Sequence, residues 1–396
     1  MLSVLAAAGG DLAAAEDALA DALETALLRW PSTGVPENPP AWVLTVARNR
    51  LRDVLRSAAH RRNVPLGAEI VTVATELVDL PEPDQIPDRR LELLLVCAHP
   101  AIAPAARTPL MLQAVLGVDA AAIAGAFAVQ PAAMAQRLVR AKRRIKTARI
   151  PFVMPERAQL TERLPAVLEA VYGAYAIDWQ LEPEGRSIES LSAEALHLAL
   201  LLSELLPDEP EVLGLAALVS LSESRRSARR AADGCFIPLP EQDAARWDTG
   251  LIDQGERLLG RAHGYRKPGR FQYEAAIQSA HCSRLSGAGA DPATVRTLYR
   301  ALIRVAPSLG AQVALAGLDA DIDGPEAGLR ALDRIGTAEI GSFQPAWALR
   351  AHLLATMGKL GRAAAAYRRA IELTPDAGVA EYLRRQLRGI GAMRTS

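Results

Sequence analysis

The side chains in this sequence best equipped for chemistry are cations. Residues 131–149 contain Arg137, Arg140, Lys142, Arg143, Arg144, Lys146 and Arg149 and no carboxylate. A second cluster, Arg48, Asn49, Arg50, Arg52, Arg56, Arg61 and Arg62, is opposed only by Asp53. A guanidinium fork pairs bidentately with phosphate or with a guanine edge, and Asn does the same with adenine. The chemistry on offer is therefore recognition of nucleic acid.

Other constellations are weaker. Cys97 and His99 lie two apart, but a metal site needs further ligands. Cys235, Cys282 and His281 supply no paired CxxC or HxxxH spacing. A core cysteine and a histidine at a helix end are the better reading, and no metal or cofactor is expected. Asp319, Asp321 and Asp323 in DADIDG begin like a calcium loop, yet Glu326 falls at the wrong spacing for its last ligand. Glu16-Asp17 is the other acidic pair that could in principle bind a metal or work as acid and base. No glycine-rich phosphate loop and no Ser/His/Asp pattern is evident, so an enzyme is not expected.

Both cation clusters sit on segments patterned as helices. Residues 119–149 read as two short helices split by the turn Ala128-Val129-Gln130, with Pro131 at the first helical position, where its missing N–H costs nothing. Met134, Leu138, Ala141 and Ile145 then form one apolar stripe. A basic helix on an alanine-rich partner is the helix-turn-helix arrangement, whose second helix enters the major groove. The plain alternative is a solvated basic helix. Against it stand the alanine-rich first helix, the turn length and the neutrality of the whole chain.

The second cluster belongs to a helix over 41–62, with Trp42, Val43, Val46, Leu51, Val54 and Leu55 as its buried side. Before it, 11–30 reads as an acidic amphipathic helix. Leu12, Ala15, Leu19, Ala22, Leu23 and Ala26 face inward there, and Glu16, Asp17, Asp21 and Glu24 outward. Residues 63–87 form a linker interrupted by Pro65, Pro81, Pro83 and Pro87. From Pro155 onward the sequence is helical and rich in Ala and Leu. Trp347, Ala351, Leu354, Ala363, Tyr367, Ala370 and Pro375 have tetratricopeptide spacing, which Val295, Tyr299, Leu302 and Pro307 partly reproduce. Pro307 and Pro375 are 68 residues apart, twice the 34-residue period of such repeats.

Composition agrees with an all-α fold. Half of the 396 residues are hydrophobic but only 4% are aromatic, and Ala and Leu are strong helix formers. The length suits several domains. With 45 basic and 45 acidic residues, affinity for nucleic acid must be confined to patches. Three widely spaced cysteines suit a reducing cytoplasm. The N-terminal stretch lacks a basic region and carries Asp11, Glu16 and Asp17, unlike a signal peptide. No apolar run reaches membrane-spanning length.

The order of these parts carries a resemblance. The acidic helix ending at Trp30-Pro31, NPPAWVLTVARNRLRDVLR, a proline-rich linker and a terminal AQRLVRAKRRIK resemble an extracytoplasmic-function-type RNA polymerase sigma factor. IPDRRLELLLVCAHPAIAPAARTPLMLQAVLGV and RAKRRIKTARIPFVMP resemble the group with a large C-terminal helical-repeat extension. The match covers most of 11–175 and recurs in PEQDAARWD and GRFQYEAAIQSAHC.

The resemblance implies a polymerase- and −10-binding domain over 1–62, whose first helix is short or missing. It also implies a −35 helix-turn-helix domain over 88–150 and an extension over 151–396, with repeats near 291–390. Glu16, Asp17, Asp21, Glu24 and Leu28 would meet the β′ clamp of core RNA polymerase, with the β flap a further contact. Arg48, Asn49, Arg52 and Arg56 would read and melt the −10 element. Gln136, Arg137, Arg140, Lys142, Arg143 and Arg144 would read the −35 element and its phosphates. The repeats would take a regulatory protein or peptide, and no membrane is implied. Two readings remain open: a sigma factor regulated by its extension, and a helical-repeat adaptor whose sigma-like front end no longer initiates transcription. A conventional repressor or activator is a third reading, disfavoured by the linker between two dissimilar basic units.

Overall fold

The computed structural model describes residues 1–61, 89–180, 191–286, 289, 291–336 and 340–395. The expected linker at 63–87 lies outside the described residues. The fold is all-α: among the described residues there are helices and one isolated bridge, Arg230 to Phe236, but no strand. None of those helices is long and apolar enough to cross a membrane. The chain divides into two compact units, Met1–Ala174 and Tyr175–Ser396.

The first unit opens with α1 (Leu2–Gly9), α2 (Leu12–Thr33) and α3 (Pro39–Arg61). Asp11 caps α2 by accepting from the Ala14 N–H at 3.2 Å, and Asn38 caps α3 by accepting from the Ala41 N–H at 3.1 Å. Both are short polar side chains of the kind that satisfies a helix's orphan donors. The face of α2 that turns inward is small: Ala15, Ala18, Ala22 and Ala26 are buried, with Leu12. Alanine keeps the gap narrow, so α3 packs closely through Val43, Leu44, Ala47 and Leu51. Trp30 and Trp42 close the top of the pair edge to face, with centroids 5.5 Å apart.

This seam corrects two expectations. Leu23 is not buried; with Leu27 and Leu28 it is 47–76% exposed, because the i, i+3, i+4 run of alanines has taken the inner face. Val54 is likewise exposed. The chain also continues helical through Pro31 to Thr33, instead of ending at Trp30-Pro31.

The remainder of this unit is α4 (Arg90–Cys97), α5 (Pro104–Ala114), α6 (Ala120–Ala126), α7 (Pro131–Thr147) and the start of α8 (Arg157–Gln180). Helix α4 is buried from Glu92 to Cys97. Buried Arg163 of α8 donates to the Leu95 carbonyl at 3.1 Å. The first part of α8 packs on α4 and α5, and the division at 174/175 falls within this helix.

In the second unit, α9 (Leu191–Leu205) leads to α10 (Pro210–Glu223), which is buried from Val212 to Ser222. A helix apolar all round belongs at a centre, and α11 (Thr249–Gly264) and α12 (Arg270–Cys282) pack on it. The approach is close enough that a Cβ on Gly255 would come within 2.5 Å of Leu221. Then follow α13 (Pro292–Val305), α14 (Leu309–Asp323), α15 (Pro325–Ile335), α16 (Gln344–Thr356), α17 (Leu360–Leu373) and α18 (Ala377–Thr395). The α14/α15 pair and the α16/α17 pair start 35 residues apart, helix for helix. Ala351, Leu354, Ala363, Tyr367 and Ala370 share one buried cluster, against which Trp347 packs.

The alanine seam yields a prediction. Ala22→Leu should destabilise the protein by about 1–3 kcal/mol through overpacking, read as a lower midpoint in urea denaturation. An unchanged midpoint would mean that α2 and α3 do not pack tightly here.

Candidate nucleic-acid interface

Helix α7 presents three faces. Met134, Leu138, Ala141 and Ile145 are buried, as their spacing predicts. Asp119 accepts from the Ala121 and Ala122 N–H groups, at 2.8 and 3.0 Å, to start α6. Ala128 makes the turn in the left-handed region at φ 50°, and Pro131 begins α7 without a lost donor.

The flanks of α7 are engaged. On one side Lys142 pairs with Glu16, and Lys146 Nζ lies 2.5 Å from Asp11 Oδ2. On the other, Arg137 donates to the Ala105 carbonyl at 3.3 Å and Arg144 to the Ala101 carbonyl at 3.2 Å. Between the flanks, Gln136, Val139, Arg140 and Arg143 are exposed at successive turns with no protein partner among the described residues.

The residues of α7 expected to read DNA thus divide by position. Gln136, Arg140 and Arg143 share the open face, Arg137 and Arg144 lie on one margin, and Lys142 is half-buried against α2 on the other. Val139 had no place in the sequence reading, yet it is 66% exposed in the middle of the open face. Its signal was there, as an apolar residue off the buried stripe. A small apolar group so placed suits a thymine methyl.

The other predicted residues lie on α2 and α3. Asn49 is exposed and accepts from Arg52, while Arg48 is half-buried. Arg56 lies in the last turns of α3, whose side chains are outside the described residues. Asp17, Asp21, Glu24 and Leu28 are exposed on α2, and Asp21 approaches Arg50 at 3.8 Å. Glu16 departs from that outward set, because Lys142 covers it.

Cys97 is buried at the end of α4, and His99 follows it. Burial pushes the Cys97 thiol far above its usual range, so it stays protonated. The His99 Nδ1 accepts from the Ala101 N–H at 3.1 Å. Burial, then the charges of Arg163 and Arg107, lower the His99 pKa. Asp319 and Asp323 both face Arg296, at 3.8 and 2.8 Å, an ion-pair arrangement at the end of α14.

Residues 163–263 match a family of unknown function (DUF6596). An uncharacterized protein of Rhizobium meliloti (strain 1021) is 36% identical over 383 residues, which is 96% of this chain and 90% of its own length. The chain belongs to the same family as that protein.

Two outcomes follow from this geometry. Lys142→Glu and Glu16→Lys should each lower stability, and the double variant should recover about 1 kcal/mol beyond additivity; simple additivity would dissolve the pair. His99 is neutral in the folded state, so its contribution is full above about pH 6.5 and fades as pH falls through its own lower value. Melting temperature should therefore drop more between pH 7.5 and 5.5 in the parent than in His99→Gln. Equal drops would contradict the assignment.

Proposed function

We propose that this protein is a sigma-type transcription factor that binds core RNA polymerase and directs promoter-specific initiation, with its helical extension as the regulatory part. The observation that carries the reading is the open face of α7: Gln136, Val139, Arg140 and Arg143 stand together, on a helix seated by a short turn against a small-residue partner. Gln136 and Val139, in the N-terminal half, suit base edges, while Arg140 and Arg143 suit guanine edges or phosphate. Arg48, Asn49, Arg52 and Arg56 on α3 take the −10 element. On α2 the exposed carboxylates Asp17, Asp21 and Glu24 alternate with Leu23, Leu27 and Leu28. That mixture of apolar and acidic surface suits a basic helical partner such as the polymerase clamp, and the resemblance in the sequence supplies the identity of that partner.

The engaged margins of α7 shape the mechanism. Lys142 and Lys146 can reach phosphate only after leaving Glu16 and Asp11, and those carboxylates border the proposed clamp surface. DNA binding and polymerase binding would therefore each loosen the same pairing. The same observation favours the second reading, an adaptor whose front end stays closed and initiates nothing.

In vitro transcription with core polymerase and a promoter library separates the two. The expected result is a set of discrete start sites that fall by at least about tenfold in Arg140→Ala/Arg143→Ala, given about 1–3 kcal/mol per lost base contact. Polymerase binding without transcripts would overturn the sigma reading in favour of the adaptor.

A further inference from the structure

A second cationic site lies far along the chain from α7, between α16 and α17. A cavity of about 540 Å³ there has Ile340, Trp347 and Leu354 in its apolar wall and three arginines, Arg350, Arg362 and Arg369, around them. That volume is in the range of small-ligand and peptide pockets. No carboxylate lines it among the described residues.

The three guanidiniums are not equally occupied. Arg350 lies 2.7 Å from Asp333 and 6.0 Å from the ring of Trp347. Arg369 lies 2.9 Å from Glu372 and donates to the Gly341 carbonyl at 3.4 Å. Asp333 and Glu372 are themselves more than 60% exposed, so these are solvent-screened pairs of small worth. Arg362 is exposed and has no partner among the described residues. A guanidinium carries five donors, and three of them beside an apolar wall leave many donors unspent.

We propose that this cavity binds the C-terminus of a partner polypeptide ending in an apolar residue. Two features select that occupant over an internal acidic segment. In a terminal residue the carboxylate and the side chain branch from one carbon, which places charge and hydrophobe side by side. The cavity wall offers both a guanidinium with no partner among the described residues, Arg362, and an apolar side chain, Leu354. The donors left over on Arg350 and Arg369 take the peptide carbonyls that precede the carboxylate, which a single small acid lacks. A planar fork also holds a carboxylate with two parallel hydrogen bonds. This site stands whether or not the front end starts transcription.

The test is fluorescence polarisation with the full chain and a labelled heptapeptide, Gly-Ser-Gly-Ser-Ala-Leu-Leu, prepared as the free acid and as the C-terminal amide. The free acid should bind at least about tenfold more tightly than the amide, and Arg362→Gln should erase that difference by weakening the acid alone. Because Arg362 is exposed on α17, its replacement leaves the fold intact, which the parental melting temperature will confirm. Equal binding of acid and amide, or no binding of the acid by about 1 mM, would overturn the proposal. So would competition by N-acetyl-leucine at the same affinity as the peptide, which would make the site one for small carboxylates.

Discussion

The first unit is governed by how a strongly basic helix can be packed at all. Helix α7 buries only Met134, Leu138, Ala141 and Ile145, and its cations crowd the remaining surface. Like charges on one helix repel, and burying any of them unpaired would cost several kcal/mol. The structure meets this in two ways. Lys142 and Lys146 find the carboxylates of α2, and Arg137 and Arg144 cap carbonyls in the 101–105 turn. What is left, Gln136, Val139, Arg140 and Arg143, stays in water. The open face is thus defined by the charges that found partners as much as by those that did not.

The same pairing links α2 to α7 across more than a hundred residues of sequence. Asp11 serves twice, as the cap of α2 and as the partner of Lys146, so the start of one helix is fixed partly by the end of another. Glu16 sits at the edge of the exposed acidic and leucine-bearing face. In the proposed mechanism this couples the two binding surfaces of the front end, because a ligand that takes one member of a pair frees the other member, without any change in the packed cores. The second unit works by other means. Its helices approach closely where glycine and alanine permit, α10 is enclosed on every side, and charge is held at the rim of the α16/α17 pair.

Much of this was legible in the sequence where periodicity governs. The stripe on α7, Pro131 at the head of its helix and the all-helical class all follow from local rules. Reading failed where one residue type could serve either face. Leu23 looked like core, but four alanines already filled the inner side of α2 and turned it outward. Glu16 read as a free surface acid, because nothing local reveals a lysine 126 residues away. The cavity at α16/α17 was missed for a similar reason. Arg350, Arg362 and Arg369 are dispersed among ordinary surface positions, and only the pairing of the two helices brings them around Trp347.

In the proposed function α7 is a DNA-binding helix, and its flanking lysines are held by carboxylates at Asp11 and Glu16. The most direct test is the salt dependence of DNA affinity for the parent and for Glu16→Gln/Asp11→Asn, in which the amide at position 11 still caps α2. Each freed lysine that reaches phosphate should steepen the slope of log K against log salt by about 0.9. The account predicts tighter binding at low salt and a slope steeper by about two such steps in the variant. An identical slope and affinity in the two proteins would contradict it.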